Sequence, residues 1–404
     1  MTGTATRPVW YRQPPLYTAI ITGLTVLGDS MLYIVLPTHW EEAGLASLWE
    51  VGILLAINRF VRVPVMPLVR RIYAHVPPRP ILFAASLLAA LSTVAYAFAY
   101  GFWEWMAARC LWGLAYAFLR LGGFFTVVKW SDSSTRGFVM GEYDGVFHLG
   151  RLVAMLFGGF LADAFGLSAA AVLFGLLSLG APLLVWLHDP SRLPYLVNAA
   201  NFSKDAAVWR IARQQPAFLR CALLGCLMNI LFQGIFTSSL SHLAESSYGS
   251  AIAVGGFVIG AASLSGTLQS LRWAWEPVVS PWIGRITGGA KREPAIAGSL
   301  LLCAFAFAVM PLSLPLFWWI AAALVIQMAA TFLETLADAA AGDLAAHLGA
   351  KTAIMARYTM ASDFGAGAGA IFAYLMAGFL SPGASCYLSA AILFLLFLSY
   401  RKSM

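Results

Sequence analysis

The chain has 404 residues, of which 60% are hydrophobic and only 11% are charged. A soluble domain of this length would carry roughly 25% charged residues, so the composition excludes a water-soluble globular enzyme. An apolar helix needs about 20 residues to cross a bilayer core. The apolar runs here are long and unbroken, which favours a polytopic helical membrane protein over a barrel of alternating strands.

The apolar runs predict twelve transmembrane helices. In chain order they lie near residues 16–37, 48–69, 80–100, 103–127, 138–162, 167–187, 217–240, 252–283, 296–312, 315–341, 353–380 and 383–400. The eighth run is too long for one span, so we expect it to begin as an interfacial turn. The polar stretch 188–216 is predicted to be a cytoplasmic linker between two six-helix bundles, 1–187 and 217–404.

The net charge of +7 is distributed unevenly between the two sets of predicted loops. Most Lys and Arg residues lie at the termini and in the loops on one side. The opposite loops carry acidic residues such as Glu41, Glu104 and Asp163 and no Lys or Arg. The positive-inside rule therefore predicts a multi-pass protein of the plasma membrane with cytoplasmic N- and C-termini. We expect a lipid bilayer and no nucleic acid as partner, and a monomer.

The cysteines and histidines suggest no catalytic, metal or cofactor site. All five cysteines fall inside apolar segments without a CxxC pattern, and the six histidines are scattered along the chain. A disulfide framework or a metal cluster would need closer, patterned spacing. We therefore expect no cofactor, no metal and no catalytic residue.

The two halves share residues at a nearly constant offset of 213 to 215 positions. The matched pairs include Gly52 with Gly266, Arg59 with Arg272, Arg71 with Arg285, Tyr143 with Tyr358, and Gly150 with Gly365. An ordered run of matches at one offset indicates two homologous six-helix halves. Because both halves start on the same side, they form a parallel repeat about an axis normal to the membrane.

Two parallel six-helix halves joined by a basic linker resemble the major facilitator superfamily. The stretch from Arg109 through Gly113 to Ala117 on the fourth span is similar to the RxxxGxxxA motif of that family, in which the arginine is implicated in proton coupling. The loop signature of the family, roughly GxLADRxGRR, is only half present. Arg71 and Arg285 remain, but Arg70 stands at the aspartate position. The resemblance implies transport by alternating access.

Ionisable residues inside the predicted spans cost roughly 2.5–3.5 kcal/mol each, so they need partners or water. Steps of three and four residues place them on single helical faces, and at least five helices present a polar stripe to a shared interior. We expect the substrate to contact Arg59, Tyr116, His148, Arg151, Asn229, Gln233, Gln269 and Arg272. Proton coupling is expected of Asp29, Arg109, Arg120, Glu334 and Asp363, and gating of Arg71, Glu142 and Arg285.

Structural alternatives exist for these charges, since some of them could simply neutralise one another. Arg120 and Glu334 are repeat equivalents of opposite charge, and Asp363 precedes a glycine-rich stretch that could be a hinge. The interhelical pairs to be considered are Asp29 with Arg59, Arg120 with Glu334, and Asp363 with Arg272.

The sequence contains no GxxxxGK[ST] loop that could hold ATP, so the energy must come from an ion gradient or from the substrate gradient. Buried carboxylates and a histidine favour protons as the coupling ion. Several cations and several carboxylates in one interior suit a small zwitterionic or anionic polar solute. These features predict a proton-coupled secondary exporter.

The stretches 28–37 (GDSMLYIVLP) and 47–62 (SLWEVGILLAINRFVR) resemble the branch of the family that exports opine-type metallophores such as staphylopine. Such substrates carry several carboxylates and amines, as the interior charges would require. Multidrug or sugar efflux by the same fold is the alternative within the family. A membrane-embedded receptor or enzyme is the alternative of another class.

Overall fold

A computed structural model describes residues 14–130, 136–187, 216–254, 257–286, 292–347, 351–381 and 383–403. The predicted linker 188–216 lies outside these residues, apart from its last position. Buried apolar side chains in the described part form two main clusters. One lies within residues 17–185, joined by Ala370 and Tyr374, and the other lies within residues 228–393.

The first half of the chain is helical over most of its predicted spans. Its helices are α1 (Pro14–Val35), α2 (Leu48–Phe60), α3 (Arg62–His75), α4 (Pro78–Ala95), α5 (Phe102–Lys129), α6 (Arg136–Ser178) and α7 (Gly180–Leu187). Helix α6 turns sharply at Gly166, whose φ of 85° is one that other residues rarely adopt. This turn separates the fifth predicted span from the sixth.

The second predicted span is interrupted at Val61, between α2 and α3. Pro64 and Pro67 follow within two turns, and neither has an N–H to donate to the preceding turn of the helix. The two missing backbone hydrogen bonds weaken the helix next to Arg59 and Arg62.

The second half contains helices and one short hairpin. Its elements are α8 (Pro216–Asn229), a π-helical segment (Ile230–Phe236), α9 (Thr237–Tyr248), β1 (Ala251–Val254), β2 (Phe257–Gly260), α10 (Ala261–Ile286), α11 (Arg292–Val309), α12 (Leu316–His347), α13 (Lys351–Phe379) and α14 (Ala384–Ser403). Strands β1 and β2 are antiparallel, with Ile252 opposite Ile259. The eighth span therefore begins with a hairpin where a turn is predicted, and the seventh continues beyond its predicted end at residue 240.

Eight stretches of the described chain are helical, long and apolar enough to cross a membrane. One of them, Val139–Leu187, contains two predicted spans, and the shorter apolar helices Pro294–Val309 and Ala384–Ser399 match the ninth and twelfth. Helix α10 supplies the eighth. The prediction of an all-α polytopic membrane fold is confirmed, with the hairpin as an addition.

The repeat is visible in how helices cross within each half. A Cβ atom at Gly150 of α6 would collide with the carbonyl oxygen of Gly23 in α1. A Cβ atom at Gly365 of α13 would collide in the same way with the carbonyl oxygen of Cys226 in α8. The matched glycines thus permit the same close crossing in both halves, which are pseudo-symmetric.

A second matched pair of glycines lies where the two halves meet. Gly52 of α2 packs on α13, where its Cβ would lie 3.1 Å from the carbonyl oxygen of Ala370. Gly266 of α10 packs on α6, where a Cβ would collide with the carbonyl oxygen of Met155. These crossings bring the halves together at one end of the molecule, which we call the closed end.

A carboxylate strengthens the closed end. Asp163 of α6 accepts a hydrogen bond from the backbone N–H of Ser263 at 2.8 Å and a second from its hydroxyl. Ser263 lies in the first turn of α10, where backbone N–H groups have no partner within the helix. One half of the molecule therefore caps a helix of the other.

Candidate substrate and proton pathway

A sealed ion pair lies inside the N-terminal half. Arg109 of α5 donates to the Asp29 carboxylate of α1, and the Asn58 amide donates to the same oxygen at 2.7 Å. Arg109 also donates to the carbonyl oxygen of Leu54 at 2.8 Å. Arg109 is 0% exposed and Asp29 is 6% exposed. The suggested pair of Asp29 with Arg59 is wrong, because Arg109 and Asn58 occupy this carboxylate.

The glycine of the fourth-span motif explains how this pair is assembled. A Cβ atom at Gly113 would lie 2.5 Å from the carbonyl oxygen of Asn58. Only glycine lets α5 approach α2 closely enough for Arg109 and Asn58 to share one carboxylate. The motif thus serves close packing as well as charge placement.

A second charged group joins the two halves. Asp363 of α13 lies between two arginines, 3.7 Å from Arg59 Nη1 and 3.4 Å from Arg62 Nη1. Arg59 also donates to the Tyr33 hydroxyl at 3.1 Å. The suggested pair of Asp363 with Arg272 is wrong, because α13 crosses α2 and so brings Asp363 to Arg59 and Arg62. The Asp363 side chain is 27% exposed, compared with 9% for that of Asp29.

Arg151 of α6 is held by aromatic rings. Its guanidinium lies 4.6 Å from the ring centre of Phe147 and 4.9 Å from that of Trp273 in the opposite half. His148 contacts the same indole, with ring centres 4.6 Å apart. Within the part of the chain that the structure describes, no carboxylate lies within 4 Å of Arg151. It is therefore a cation of the interior that lies against aromatic rings.

The C-terminal half carries a third group on α10 and α12. Arg272 donates to Glu334 and lies 3.7 Å from Glu276, one turn further along α10. Arg120 pairs instead with Asp144 at 2.8 Å, within the N-terminal half. The suggested pair of Arg120 with Glu334 is wrong, because each has a partner in its own half.

The remaining predicted substrate contacts are distributed between the halves. Tyr116 lies under the guanidinium of Arg62, 4.8 Å from its ring centre. The amides of Gln269 and Asn229 donate to backbone carbonyl oxygens of Thr237 and Gly225, both at 2.9 Å. Gln233 is half-buried in the π-helical segment. The contact of these residues with substrate stays a prediction.

The predicted gate residues lie away from the closed end. Arg71 on α3 and Glu142 on α6 are exposed, and the side chain of Arg285 lies outside the described residues. The side chain of Asp144, two residues after Glu142 on α6, and that of its partner Arg120 are about one-third exposed. The interior therefore opens toward this end of the molecule, and the gating role of these residues stays a prediction.

Arg62, Asp144 and Glu276 are predicted to lie in or at the edge of the spans, but the sequence reasoning gives none of them a role in the site. Each lies three or four residues from a predicted site residue, which is one helical turn. Arg62 follows Arg59, and Glu276 follows Arg272. The signal for a role is this spacing, since side chains three or four residues apart share a helical face.

Charged groups between two pseudo-symmetric six-helix halves are the arrangement expected of a membrane transporter. The model of the Major Facilitator Superfamily matches residues 18–276. The chain belongs to this superfamily and is a transporter, not an enzyme.

One matched relative is the chromaffin granule amine transporter of Homo sapiens. It is 31% identical over 141 residues, which are 34% of this chain and 25% of that protein. The match thus spans about a quarter of the length of that relative.

Solved structures share the fold over nearly the whole chain. A bacterial homolog of the human lysosomal transporter Spinster, in an inward-facing and unoccupied conformation, has a TM-score of 0.79 at 14% identity and covers 98% of both chains. A POT family transporter in complex with 5-aminolevulinic acid has a TM-score of 0.74 at 9% identity, covering 95% of this chain and 94% of that one. A peptide transporter POT in complex with sulfate has a TM-score of 0.70 at 14% identity, covering 97% and 96%. At these identities the likeness concerns the fold alone.

Proposed function

We propose that the chain is a proton-coupled secondary transporter that exports a small zwitterionic or anionic polar solute by alternating access. An opine-type metallophore is the substrate class we favour. The protein acts as a monomer in the plasma membrane, with both termini in the cytoplasm, and protons drive the cycle. With this orientation the closed end faces outward and the charged interior opens to the cytoplasm.

Asp363 carries this proposal, because it lies between Arg59 and Arg62 of the other half. An ionised Asp363 attracts both arginines and so ties α13 to α2 and α3. A proton on Asp363 removes that attraction, so the protonation state biases how the halves sit together. The contacts of 3.4 and 3.7 Å are longer than a good charge-assisted hydrogen bond, which supports exchange of partners.

Arg151 supports an anionic group on the substrate. A guanidinium inside the membrane without a carboxylate partner is costly, and a substrate carboxylate would supply the missing charge. Tyr116 and His148 would border the same space. The partial match to an amine transporter supports an amine on the substrate as well, and hence a zwitterion.

The Asp29–Arg109 pair has a different place in the proposed cycle. Both side chains are sealed from solvent in this conformation, whereas Asp363 and Glu334 are partly exposed. We assign proton uptake from the cytoplasmic side to the exposed carboxylates. Arg109 and Asp29 would hold α1, α2 and α5 together while the halves move.

Replacing Asp363→Asn is expected to abolish proton-driven transport and to preserve exchange. The amide has the size of the carboxylate but cannot take up a proton, so the cycle loses its coupling. Purified protein in proteoliposomes would be tested for substrate-linked proton flux under an imposed pH gradient, with opine-type compounds as substrates. Substrate exchange without a gradient would be measured in the same vesicles.

Glu50→Gln is the matched control, since Glu50 only caps its own loop by accepting from the N–H of Ala46 at 2.9 Å. It should leave both activities unchanged. Proton-driven accumulation by the Asp363→Asn variant at the wild-type rate would reject the coupling role of Asp363. Absence of any substrate-linked proton flux in the wild type would reject proton coupling itself.

A further inference from the structure

We propose that a cavity at one end of the C-terminal half binds a neutral hexosyl group, the sugar part of a glycolipid or of a free saccharide. The cavity has a volume of about 490 Å³ and lies between the end of α9 and the connections before α12 and α14. None of the predicted substrate, coupling or gate residues lines it. The site is therefore separate from the proposed transport pathway and does not depend on the proposed function.

The cavity lies at the same end of the molecule as the hairpin. Its lining residues lie within three segments, 243–248, 311–314 and 381–387. These segments end or follow α9, α11 and α13, which belong to alternate spans and so cross the membrane in the same direction. Large apolar side chains beside two of the segments are exposed, namely Phe317, Trp318, Phe379 and Leu380. Exposed aromatic residues at the ends of spans are typical of the headgroup level, so a lipid headgroup can reach the cavity.

Contacts between the three segments hold the cavity in shape. The Tyr248 hydroxyl donates to the carbonyl oxygen of Leu314 at 2.7 Å, which ties α9 to the connection before α12. The Tyr248 ring also packs edge-on against the buried Trp319, with ring centres 5.8 Å apart. A Cβ atom at Gly383 would lie 2.5 Å from Pro311 Cβ, so the two connections touch. The cavity is therefore preformed, as small-molecule sites usually are, and its volume lies within their range of roughly 300–1,000 Å³.

The lining offers hydroxyl groups and no charge. The described lining residues include no charged side chain, and those with hydroxyl groups are Ser246, Ser247, Tyr248, Ser313, Ser381 and Tyr387. A hydroxyl group both donates and accepts hydrogen bonds, so it can pair with the hydroxyl groups of a sugar. Ser246 and Tyr248 donate to backbone carbonyl oxygens, which leaves their oxygens as acceptors. A phosphate or an ammonium group would find no counter-charge among these residues.

Apolar surface accompanies the hydroxyl groups. Leu243, Pro311 and Leu312 also line the cavity, and Tyr387 is 49% exposed. A pyranose ring has C–H groups on its faces and hydroxyl groups at its edge. It can therefore pack on the tyrosine ring, which has an apolar face, while it bonds to the serines. An aliphatic chain would leave the hydroxyl groups unmatched, so the mixed lining favours a hexose.

Two lipids that differ only in their sugar test the assignment. Monoglucosyl diacylglycerol carries one glucose, and diacylglycerol with the same chains carries a hydroxyl group at that position. The purified full-length protein would be placed in phosphatidylcholine nanodiscs with equal amounts of both, and the lipids retained would be counted by native mass spectrometry. We expect the glucosyl lipid to be retained about tenfold more than diacylglycerol, as one or two neutral hydrogen bonds would give.

Ser247→Trp places an indole in the cavity and should abolish this preference. Ser399→Trp is the matched control, because Ser399 is an exposed serine of α14 that does not line the cavity. It should preserve the preference. Thermal unfolding identifies a variant that fails to fold, and Ser313→Trp, which fills the cavity from another segment, then replaces Ser247→Trp.

Methyl glucoside distinguishes the two sources of the sugar. A saturation-transfer NMR signal from methyl glucoside with the wild type, lost in Ser247→Trp, would mean that a free saccharide is sufficient. Retention of the glucosyl lipid without this signal would mean that the sugar must be anchored in the bilayer. Equal retention of the two lipids together with no methyl glucoside signal overturns the assignment. A lipid preference that survives in both Ser247→Trp and Ser313→Trp overturns it as well.

Discussion

Replacing Arg109→Met is expected to destabilise the protein by about 3–5 kcal/mol, because Asp29 is left buried without a counter-charge. The loss should appear as a lower midpoint of thermal unfolding in detergent and a lower yield of folded protein. The size of the effect follows from burial, since Arg109 is wholly inaccessible and donates to both Asp29 and the carbonyl oxygen of Leu54.

The double variant Arg109→Met with Asp29→Asn separates the charge effect from the loss of volume. It removes both charges, so much of the lost stability should return. Arg71→Met is the matched control, because that arginine is exposed. Equal destabilisation in the single and double variants would mean that packing, and not the unpaired carboxylate, sets the effect.

Replacing Gly266→Leu is expected to prevent the closed end from closing and to abolish substrate exchange. A side chain at this position would collide with the carbonyl oxygen of Met155 in the backbone of α6, which cannot move aside as a flexible side chain can. The population should therefore shift to the state that is open at this end. Spin labels at Phe165 and Val258, both exposed, would report a longer distance across the closed end.

Gly378→Leu is the matched control, since nothing lies within 4 Å of the position that its Cβ would occupy. It should leave the label distance and exchange unchanged. Gly52→Leu should act more weakly than Gly266→Leu, because its nearest backbone contact is 3.1 Å. An unchanged label distance in Gly266→Leu would show that the crossing of α10 and α6 does not hold the closed end.

The fold could be predicted from the sequence because its signals are local or repeated. A bilayer demands long apolar runs, and these can be counted directly. The offset between Gly52 and Gly266, or between Gly150 and Gly365, needs only comparison of the chain with itself. The structure then shows why glycines matched: each removes a side chain where two backbones touch.

The ion pairs could not be predicted in the same way. Helical spacing tells which charges share a face, but it does not tell which helix lies opposite. Arg120 and Glu334 are repeat equivalents, yet each has a partner in its own half: Arg120 pairs with Asp144, and Glu334 pairs with Arg272. Matching by depth alone therefore chose the wrong partners.

Two boundaries of the predicted spans are wrong, namely the end of the seventh span and the start of the eighth. The seventh span runs on to Tyr248, and the hydroxyls of Ser238 and Ser239 in α9 donate to carbonyl oxygens of the preceding turn, so these polar groups are satisfied inside the helix. The sequence predicts an interfacial turn at the start of the eighth run, whereas Ala251–Val254 and Phe257–Gly260 pair as antiparallel strands. The hydropathy of the sequence indicates neither the helix end at Tyr248 nor the pair of strands.

The closed end depends on backbone-to-backbone packing at glycines, with Asp163 as its charged contribution. Attraction between touching atoms fades steeply, and a gap of about 0.5–1 Å already forfeits roughly a quarter to a half of it. A partly separated end would already have lost much of this attraction. We therefore expect the end to be either fully closed or fully open. We therefore expect the lifetime of the closed conformation to depend little on ionic strength, because salt screens charges but does not affect the packing of helices.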